Sequence, residues 1–236
     1  MKIKNLLLTI FISILAFQLN AQMPKVHSIG AMKDMGSTYD LHILLDTISP
    51  KSHLYGMGPY DRMKGEITVV DGKPYFASAF VDGEYKVGTD WNIRSPFFVY
   101  SDVKEWSVFK ITSSFNCVEG IQDIVASIAK ANGYNLKQPF PFVIKGPFDG
   151  LTGHIVTPRN PEVEGYREGI KSQKFSFKDT KGELIGFYSE NHQGVFTHAD
   201  SFVHIHFLKR DKSFMGHLDE ITTKPSSYKL YLPKRK

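Results

Sequence analysis

Short runs of alternating apolar and polar residues, separated by turn signals, fill most of this chain and favour a β-rich fold. Residues 65–70 alternate in this way and are followed by Asp71-Gly72, a dipeptide typical of tight hairpins. A second such turn, Asp82-Gly83, follows the run at 74–80. Because successive side chains of a strand point to opposite faces, each run can bury one face and expose the other.

Other runs of the same kind predict further strands. They lie at 41–45, 96–100, 106–111, 140–144, 153–156, 175–177, 183–188 and 228–232. The Gly- and Pro-containing segment 55–59 is predicted to be a loop, and so are 146–150 and 179–182. The pattern thus predicts many short strands.

One segment has helical rather than strand periodicity. Its apolar residues recur three or four apart, namely Ile121, Ile124, Val125, Ile128 and Ala129. Asn116 and Glu119 resemble a capping box at its start, and Gly133 is placed to end it. We therefore expect one main helix with its apolar face against a sheet.

The first residues resemble a secretory signal peptide. Lys2 and Lys4 precede an apolar run at 6–17, and a polar stretch ends at Ala21. We predict a signal peptide at 1–21 with cleavage before Gln22; the alternative is an uncleaved anchor, for which the apolar run is short. No later segment is long and apolar enough to span a bilayer. The expected protein is exported, either periplasmic or secreted.

Composition narrows the class of protein. The chain has 236 residues, of which 42% are hydrophobic, which suits one domain with two lobes, about 22–137 and 138–236. The single cysteine, Cys117, excludes an internal disulfide and is expected to pack at the helix start. The net charge is +5, but no stripe of Lys and Arg interleaved with aromatic residues indicates a nucleic-acid partner. The Gly-rich nucleotide-binding loops, the G-x-S-x-G elbow and the H-E-x-x-H motif are absent from the sequence.

Three histidines near the C-terminus form the strongest candidate site. His204 and His206 are two apart in a predicted strand and so share a face, and a polar turn at 209–213 leads back to His217. Three neutral imidazoles with an open position suit catalytic zinc or another divalent transition metal. The alternative is that these are hydrogen-bonded structural histidines. A cupin site, which also begins with H-x-H, is disfavoured because no Glu occurs at 207–211.

Three sequence blocks and the helix between them resemble the alpha-acetolactate decarboxylase family of bacterial zinc enzymes. The blocks are MKGEITVVDGKPY at 63–75, KGELIGFY at 181–188 and VHIHFLKRDKSFMGH at 203–217. The resemblance implies an α+β, β-rich fold of two lobes, a mixed β-sheet and a half-open β-barrel, in a homodimer. It also implies that Zn²⁺ held by His204, His206 and His217 converts 2-acetolactate to acetoin and carbon dioxide, with the metal holding the enediolate left when carbon dioxide departs.

The resemblance extends to the catalytic residues with two departures. Glu66 matches a family Glu and is expected to act as acid, base or support for the metal ligands. His154 stands where the family has an Arg suited to the substrate's carboxylate, and Arg159 is close enough in sequence to substitute partly. Ser227, or Ser226, replaces a second family Glu. Histidine lacks the bidentate fork of Arg, and Ser carries no proton for catalysis at neutral pH.

These departures leave the reaction open. One alternative is a metal-dependent isomerase, aldol-type lyase or hydrolase in which His154 is the acid or base. Another is a non-catalytic protein that binds a metal or a small ligand. We expect a small keto acid as the partner, and neither nucleic acid nor, after cleavage, a membrane. His192 and His198, in the long loop 190–200, are expected to be solvated rather than ligands.

Overall fold

The computed structural model describes residues 23–80 and 82–235, so the predicted signal peptide at 1–21 lies outside the described residues. In the described part, no helix has the length and hydrophobicity needed to cross a membrane. The β-rich class with one α-helix is confirmed.

The strands described are β1 (Val26–Ile29), β2 (Ile43–Leu44), β3 (Leu54–Pro59), β4 (Glu66–Val70), β5 (Lys73–Ala79), β6 (Tyr85–Gly88), β7 (Arg94–Ser95), β8 (Phe98–Asp102), β9 (Trp106–Ile111), β10 (Phe140–Val156), β11 (Ser172–Tyr188), β12 (Val203–Lys209), β13 (Met215–Thr222) and β14 (Tyr228–Pro233). The helix is α1 (Val118–Ala131), and two short 3₁₀ helices cover Met32–Asp34 and Leu45–Thr47.

The first sheet has the strand order β1-β8-β3-β4-β5-β6. Every pairing in it is antiparallel, whereas the resemblance implied a mixed sheet. The predicted hairpin at Asp71-Gly72 joins β4 to β5, with φ angles of 46° and 73°. Two consecutive positive φ values match the twist of the flanking strands.

The segment 55–59, predicted to be a loop, is instead part of β3 and is buried throughout. Its glycines make room for a neighbouring side chain rather than a turn: a Cβ on Gly56 would lie 2.7 Å from the ring of Phe98. The loop prediction was wrong because glycine in a strand also marks a close approach of side chains. The predicted strand at 41–45 shrinks to β2, Ile43–Leu44.

The second sheet has the order β11-β12-β13-β10-β14-β9, and β11 also pairs with β10. Because of this extra pairing, the four strands β10, β11, β12 and β13 form a closed ring. This ring is the core of the expected barrel-like lobe. β10 and β11 each have 17 residues, where the sequence predicted two short strands and a turn in each. Gly146 faces Gly182 in the register of these two strands. A Cβ on Gly146 would collide with the ring of Tyr228, and one on Gly182 with the carbonyl oxygen of Leu208, so these glycines mark close approaches of neighbouring strands rather than a turn.

The helix α1 begins one residue later than the capping box predicted. Cys117 is its N-cap, and its Sγ accepts a hydrogen bond of 3.3 Å from the backbone N–H of Gly120. Cys117 is exposed, so the expectation that it packs is wrong. Gly133 follows the helix with a φ of 77°, as predicted.

One hydrophobic core joins the two sheets and the helix. It includes Met57 from β3, Ile121 from α1 and Phe207 from β12. Strand β9 lies before the predicted division at 137/138 but pairs with β14 of the second sheet. Against this core, β4 buries two polar side chains, Glu66 and Thr68, that face the second sheet.

Candidate metal and acid–base site

Neighbouring strands of the barrel place a row of histidines on one face. His206 of β12 pairs with His217 of β13, and His217 pairs with His154 of β10. His154 pairs in turn with Lys174 of β11. Residues directly opposite in antiparallel strands share a face, and His204 shares it with His206 because they are two apart.

The three histidines selected from the sequence lie side by side. The ring centroids are 5.0 Å apart for His204 and His206, 5.1 Å for His204 and His217, and 5.7 Å for His206 and His217. His204 and His206 are buried, and His217 is partly buried. Their role as metal ligands stays a prediction.

Hydrogen bonds turn one nitrogen of His204 and one of His206 away from the cluster, and a carboxylate lies beside the corresponding nitrogen of His217. His204 Nδ1 is 2.9 Å from the carbonyl oxygen of Phe196, and His206 Nδ1 is 2.8 Å from Thr68 Oγ1. His217 Nδ1 lies 3.5 Å from a carboxylate oxygen of Asp219. With Nδ1 engaged in this way, the Nε2 lone pair is left for a cation.

Two further observations fit a cation at this cluster. Burial lowers the pKa of His204 and His206 well below 6.5 and that of His217 to about 4, reinforced by the charges of neighbouring histidines. The rings are therefore neutral at physiological pH, as metal ligands must be. His206 Nε2 is also buried without a hydrogen-bond partner, which is uncommon for a polar atom.

A second set of donors overlaps the first. Donor atoms of His154, His217 and Asp219 lie within 4.8 Å of one another, a group that could hold a metal ion. Asp219 Oδ1, however, lies 2.6 Å from His154 Nδ1 and 3.5 Å from His217 Nδ1. A carboxylate bonded to the outer nitrogens of imidazoles orients them as ligands without needing to bind the metal itself. Sequence reasoning missed Asp219, although its spacing from His217 puts both on one face.

Glu66 reaches the cluster from the first sheet. Its two carboxyl oxygens lie 3.7 Å from His206 Nε2 and 4.0 Å from His154 Nε2. Burial raises the pKa of Glu66 to about 8, against the opposing charge of His154 and a hydrogen bond from the backbone of Val156. Without a metal, Glu66 is thus a protonated acid at neutral pH and a candidate proton donor.

His154 forms a dyad with Asp219. Burial opposes protonation, but the hydrogen bond to Asp219 and the charges of Glu66 and Asp219 outweigh it and raise the pKa of His154. The ring also stacks on His217, with centroids 4.7 Å apart. Asp219 holds Nδ1, so Nε2 is the nitrogen that faces Glu66.

The structure gives Arg159 other partners. Its guanidinium donates to the carbonyl oxygens of Val163 at 2.8 Å and Gly165 at 3.3 Å, and stacks over Tyr166. Within residues 23–80 and 82–235, no hydrogen bond or ion pair links it to the histidines, so the partial substitution expected of Arg159 is not supported. Ser227 is exposed and borders a different cleft, beside Lys229.

The two histidines of the loop at 190–200 have different contacts. His192 Nδ1 lies 2.8 Å from Ser189 Oγ, and its ring stacks on Phe196, so it holds the loop together. His198 is exposed, yet its Nε2 lies 3.0 Å from His217 Nε2. His198 is thus solvent-exposed as expected, but it also contacts a histidine of the cluster, which the sequence did not predict. His198 and His217 line a cleft of about 320 Å³, whose other lining residues include Asp219, Lys174, Glu119 and Gln122.

Comparisons with known proteins agree on one family. Residues 35–232 match the family model described as alpha-acetolactate decarboxylase. The chain is 23% identical over 164 residues to the alpha-acetolactate decarboxylase of Streptococcus thermophilus, covering 69% of this chain and 65% of that protein. It is 24% identical over 192 residues to the enzyme of that name from Methanosarcina mazei, covering 77% and 62%. The match thus spans somewhat less than two thirds of each relative's length.

The fold agrees with a solved structure as well. The crystal structure of alpha-acetolactate decarboxylase from Bacillus subtilis strain 168 superposes with a TM-score of 0.71 at 18% identity. The superposition covers 90% of this chain and 86% of that one. At this level of identity the likeness concerns the fold alone.

Proposed function

Because the chain belongs to the alpha-acetolactate decarboxylase family, we propose that it is an exported, metal-dependent carboxy-lyase. Its proposed substrate is 2-acetolactate, converted to acetoin, or a related 2-hydroxy-3-keto acid. The proposed metal is zinc or another divalent transition metal held by His204, His206 and His217. The observation that carries the proposal is the position of Glu66, a buried acid 3.7 Å from His206 Nε2 and 4.0 Å from His154 Nε2.

The chain's own residues have separate tasks in this reaction. The metal, when bound, supplies Lewis acidity to the substrate's hydroxyl and ketone oxygens. Glu66 holds a proton at a carboxyl oxygen and delivers it to the carbon that loses carbon dioxide. His154 Nε2 returns a proton to Glu66, and Asp219 keeps the ring oriented through Nδ1. Burial of Glu66 keeps bulk water from competing for this proton transfer.

Lys174 is the candidate for recognising the substrate's carboxylate. His154 cannot grip a carboxylate with two parallel hydrogen bonds as Arg would. Lys174 lies opposite His154 in the barrel and lines the cleft beside His217. Its Nζ is 3.8 Å from Glu220, a loose and exposed ion pair that a substrate can replace.

Replacing this lysine tests the assignment. We expect Lys174→Met to raise KM about tenfold, the loss of about 1.4 kcal/mol of binding, with little change in kcat. Lys178→Met is the matched control, because Lys178 is an exposed lysine of the same strand that does not line the cleft. Equal KM values for the two variants would remove Lys174 from the proposed site.

A different substrate is the second candidate function. It is favoured by the dyad of His154 and Asp219, joined at 2.6 Å, which provides an acid–base pair where the family has an Arg. The same site would then perform an isomerisation, an aldol-type cleavage or a hydrolysis on a small hydroxy-keto compound.

One experiment decides between these functions. The purified protein is analysed for its metal content, loaded with zinc and assayed with 2-acetolactate and a panel of β-keto and hydroxy-keto acids. We expect carbon dioxide release that a chelator abolishes. Turnover without carbon dioxide release would support the second candidate, and bound metal without any turnover would support a binding protein.

Export and the homodimer belong to the same proposal and have their own measurements. Processing before Gln22 is expected in the exported protein and is read from its N-terminal sequence. Light scattering of the mature chain is expected to give twice its mass. An intact N-terminus, or a monomer at micromolar concentration, would contradict the corresponding part.

A further inference from the structure

The contact between His198 and His217 is the least explained feature of the site. The two Nε2 atoms lie 3.0 Å apart, and the ring of His198 is also 5.7 Å, centroid to centroid, from that of His204. We propose that His198 is a fourth imidazole ligand of the metal, supplied by the loop 190–200. This inference rests on the proposed metal-dependent function and adds a ligand that the sequence motif of three histidines does not contain.

The separation of the two nitrogens fits two ligands of one ion. Metal–nitrogen bonds to imidazole are about 2.0–2.1 Å long, so two neighbouring ligands of one ion have nitrogens about 3.0–3.4 Å apart. The observed 3.0 Å between His198 Nε2 and His217 Nε2 lies at the edge of this range. The same distance also fits a hydrogen bond, so proton positions must distinguish the two arrangements.

The environment of His217 favours shared coordination once a cation is present. Its Nδ1 lies 3.5 Å from Asp219 Oδ1, and this carboxylate favours the tautomer that is protonated at Nδ1 and has its lone pair on Nε2. A metal that binds this lone pair leaves no acceptor there for an N–H of His198. At 3.0 Å, His198 Nε2 must then present its own lone pair to the same cation.

Contacts with two other parts of the chain hold the loop that carries His198. Phe196 and Thr197, the two residues before it, are buried, and the carbonyl oxygen of Phe196 is bonded to His204 Nδ1. The backbone N–H groups of Met32 and Lys33 donate to loop carbonyls at 2.9 Å. The loop is thus anchored to a predicted metal ligand only two residues before His198.

A neutral fourth ligand has a consequence for the charge of the site. Imidazoles leave the metal's full positive charge uncompensated, which strengthens attraction for an anionic substrate.

The test uses cobalt as a spectroscopic probe in the full mature chain. The visible absorption bands of Co²⁺ depend on the number and type of its ligands, and its affinity is measured by competition with a chromophoric chelator. We expect His198→Ala to change the band positions and intensities and to weaken affinity at least tenfold, since even residues that only support ligands account for about 10–100-fold. His42→Ala is the control, because His42 is an exposed histidine just before β2 and does not line the cleft of His198 and His217.

Each outcome decides the matter. An unchanged cobalt spectrum in His198→Ala would overturn the inference even if the affinity fell, because a hydrogen-bonding role predicts that pattern. Absence of cobalt binding by the wild-type chain would overturn it too. His198→Gln, with circular dichroism of both metal-free variants, guards against misfolding. A spectrum that depends on His198 in a protein that releases no carbon dioxide would uphold this inference while the proposed function failed.

Discussion

At the scale of single residues, the site depends on carboxyl groups with opposite electrostatic environments. Glu66 is buried, and burial raises its pKa to about 8 although the charge of His154 opposes this shift. Asp219 is partly buried, which also favours its neutral form, but its hydrogen bond to His154 and the nearby ring of His217 outweigh burial and hold its pKa far below the usual range. In the metal-free protein one carboxyl therefore carries a proton at neutral pH and the other carries a charge, which suits a donor and an orienting group.

Asp219→Asn tests the orienting role. The amide lacks the charge that fixes the rings of His154 and His217, so we expect metal affinity to fall about 10–100-fold. Glu220→Gln is the matched control, because the neighbouring Glu220 side chain is 70% exposed. Affinity is measured by competition with a chelator. An affinity equal to that of the control would show that the hydrogen bonds of Asp219 are unimportant for the metal.

Glu66 predicts a dependence of stability on pH in the metal-free protein. Its pKa is raised from 4.5 to about 8 in the fold, so its contribution is fully present below pH 4.5 and lost as pH rises towards 8. The buried histidines have lowered pKa values and contribute a slope of the opposite sign, which fades as pH rises from 6.5 towards 8 because the unfolded histidines lose their protons there. The ionisation of Glu66 by itself should lower the free energy of unfolding by up to about 1.4 kcal/mol per pH unit in this range.

The comparison variant is Glu66→Gln, which cannot ionise. Urea unfolding in the presence of a chelator, at pH values from 6.5 to 8, should show a smaller slope for Glu66→Gln than for the wild type. His154, whose pKa is raised in part by the charge of Glu66, contributes a slope of the same sign that is smaller in Glu66→Gln and so adds to the expected difference. Parallel curves would mean that Glu66 ionises in the fold as it does in the unfolded chain.

At the scale of elements, strand β3 illustrates how glycine sets the position of the first sheet. A Cβ on Gly56 would meet the ring of Phe98 at 2.7 Å and the carbonyl oxygen of Val99 at 2.9 Å. Both neighbours belong to β8, which pairs with β3, so the strands could not keep their spacing. Gly56 therefore allows β3 to pack closely against β8, and β3 in turn pairs with β4, the strand that carries Glu66.

Gly56→Ala should consequently destabilise the protein. Overpacking of this kind typically lowers the free energy of unfolding by about 1–3 kcal/mol. Gly150→Ala is a suitable control, since a Cβ on this strand glycine would lie 3.6 Å from Thr222, an ordinary contact. Urea unfolding at fixed pH measures the difference. Equal losses in the two variants would contradict the packing argument.

At the scale of the whole molecule, the site lies where the two sheets meet. Thr68 of β4 and His206 of β12 share a buried hydrogen bond of 2.8 Å across this boundary. A cation beside His206 would therefore be bound only when both sheets are packed. Metal binding and folding are coupled in such an arrangement.

Metal loading should accordingly raise the stability of the whole fold. A cation present at about 100 times its dissociation constant should add about 2.7 kcal/mol to the free energy of unfolding. The midpoint of thermal unfolding should rise with zinc concentration and return on chelation. His206→Ala serves as the control and should lose most of this dependence. A wild-type midpoint that ignores zinc would exclude the folded-state metal site.

The sequence by itself determined the features that depend on local geometry. Alternation predicted the β-rich class, helical spacing predicted α1, and the two-residue spacing of His204 and His206 predicted a shared face, because backbone periodicity acts over a few residues. Only the tertiary structure decided which distant residues meet. The closed ring of strands set His154 and Asp219 beside His217, the anchored loop brought His198 to it, and Arg159 was directed elsewhere. These distances depend on sheet register and closure, which no short stretch of sequence contains.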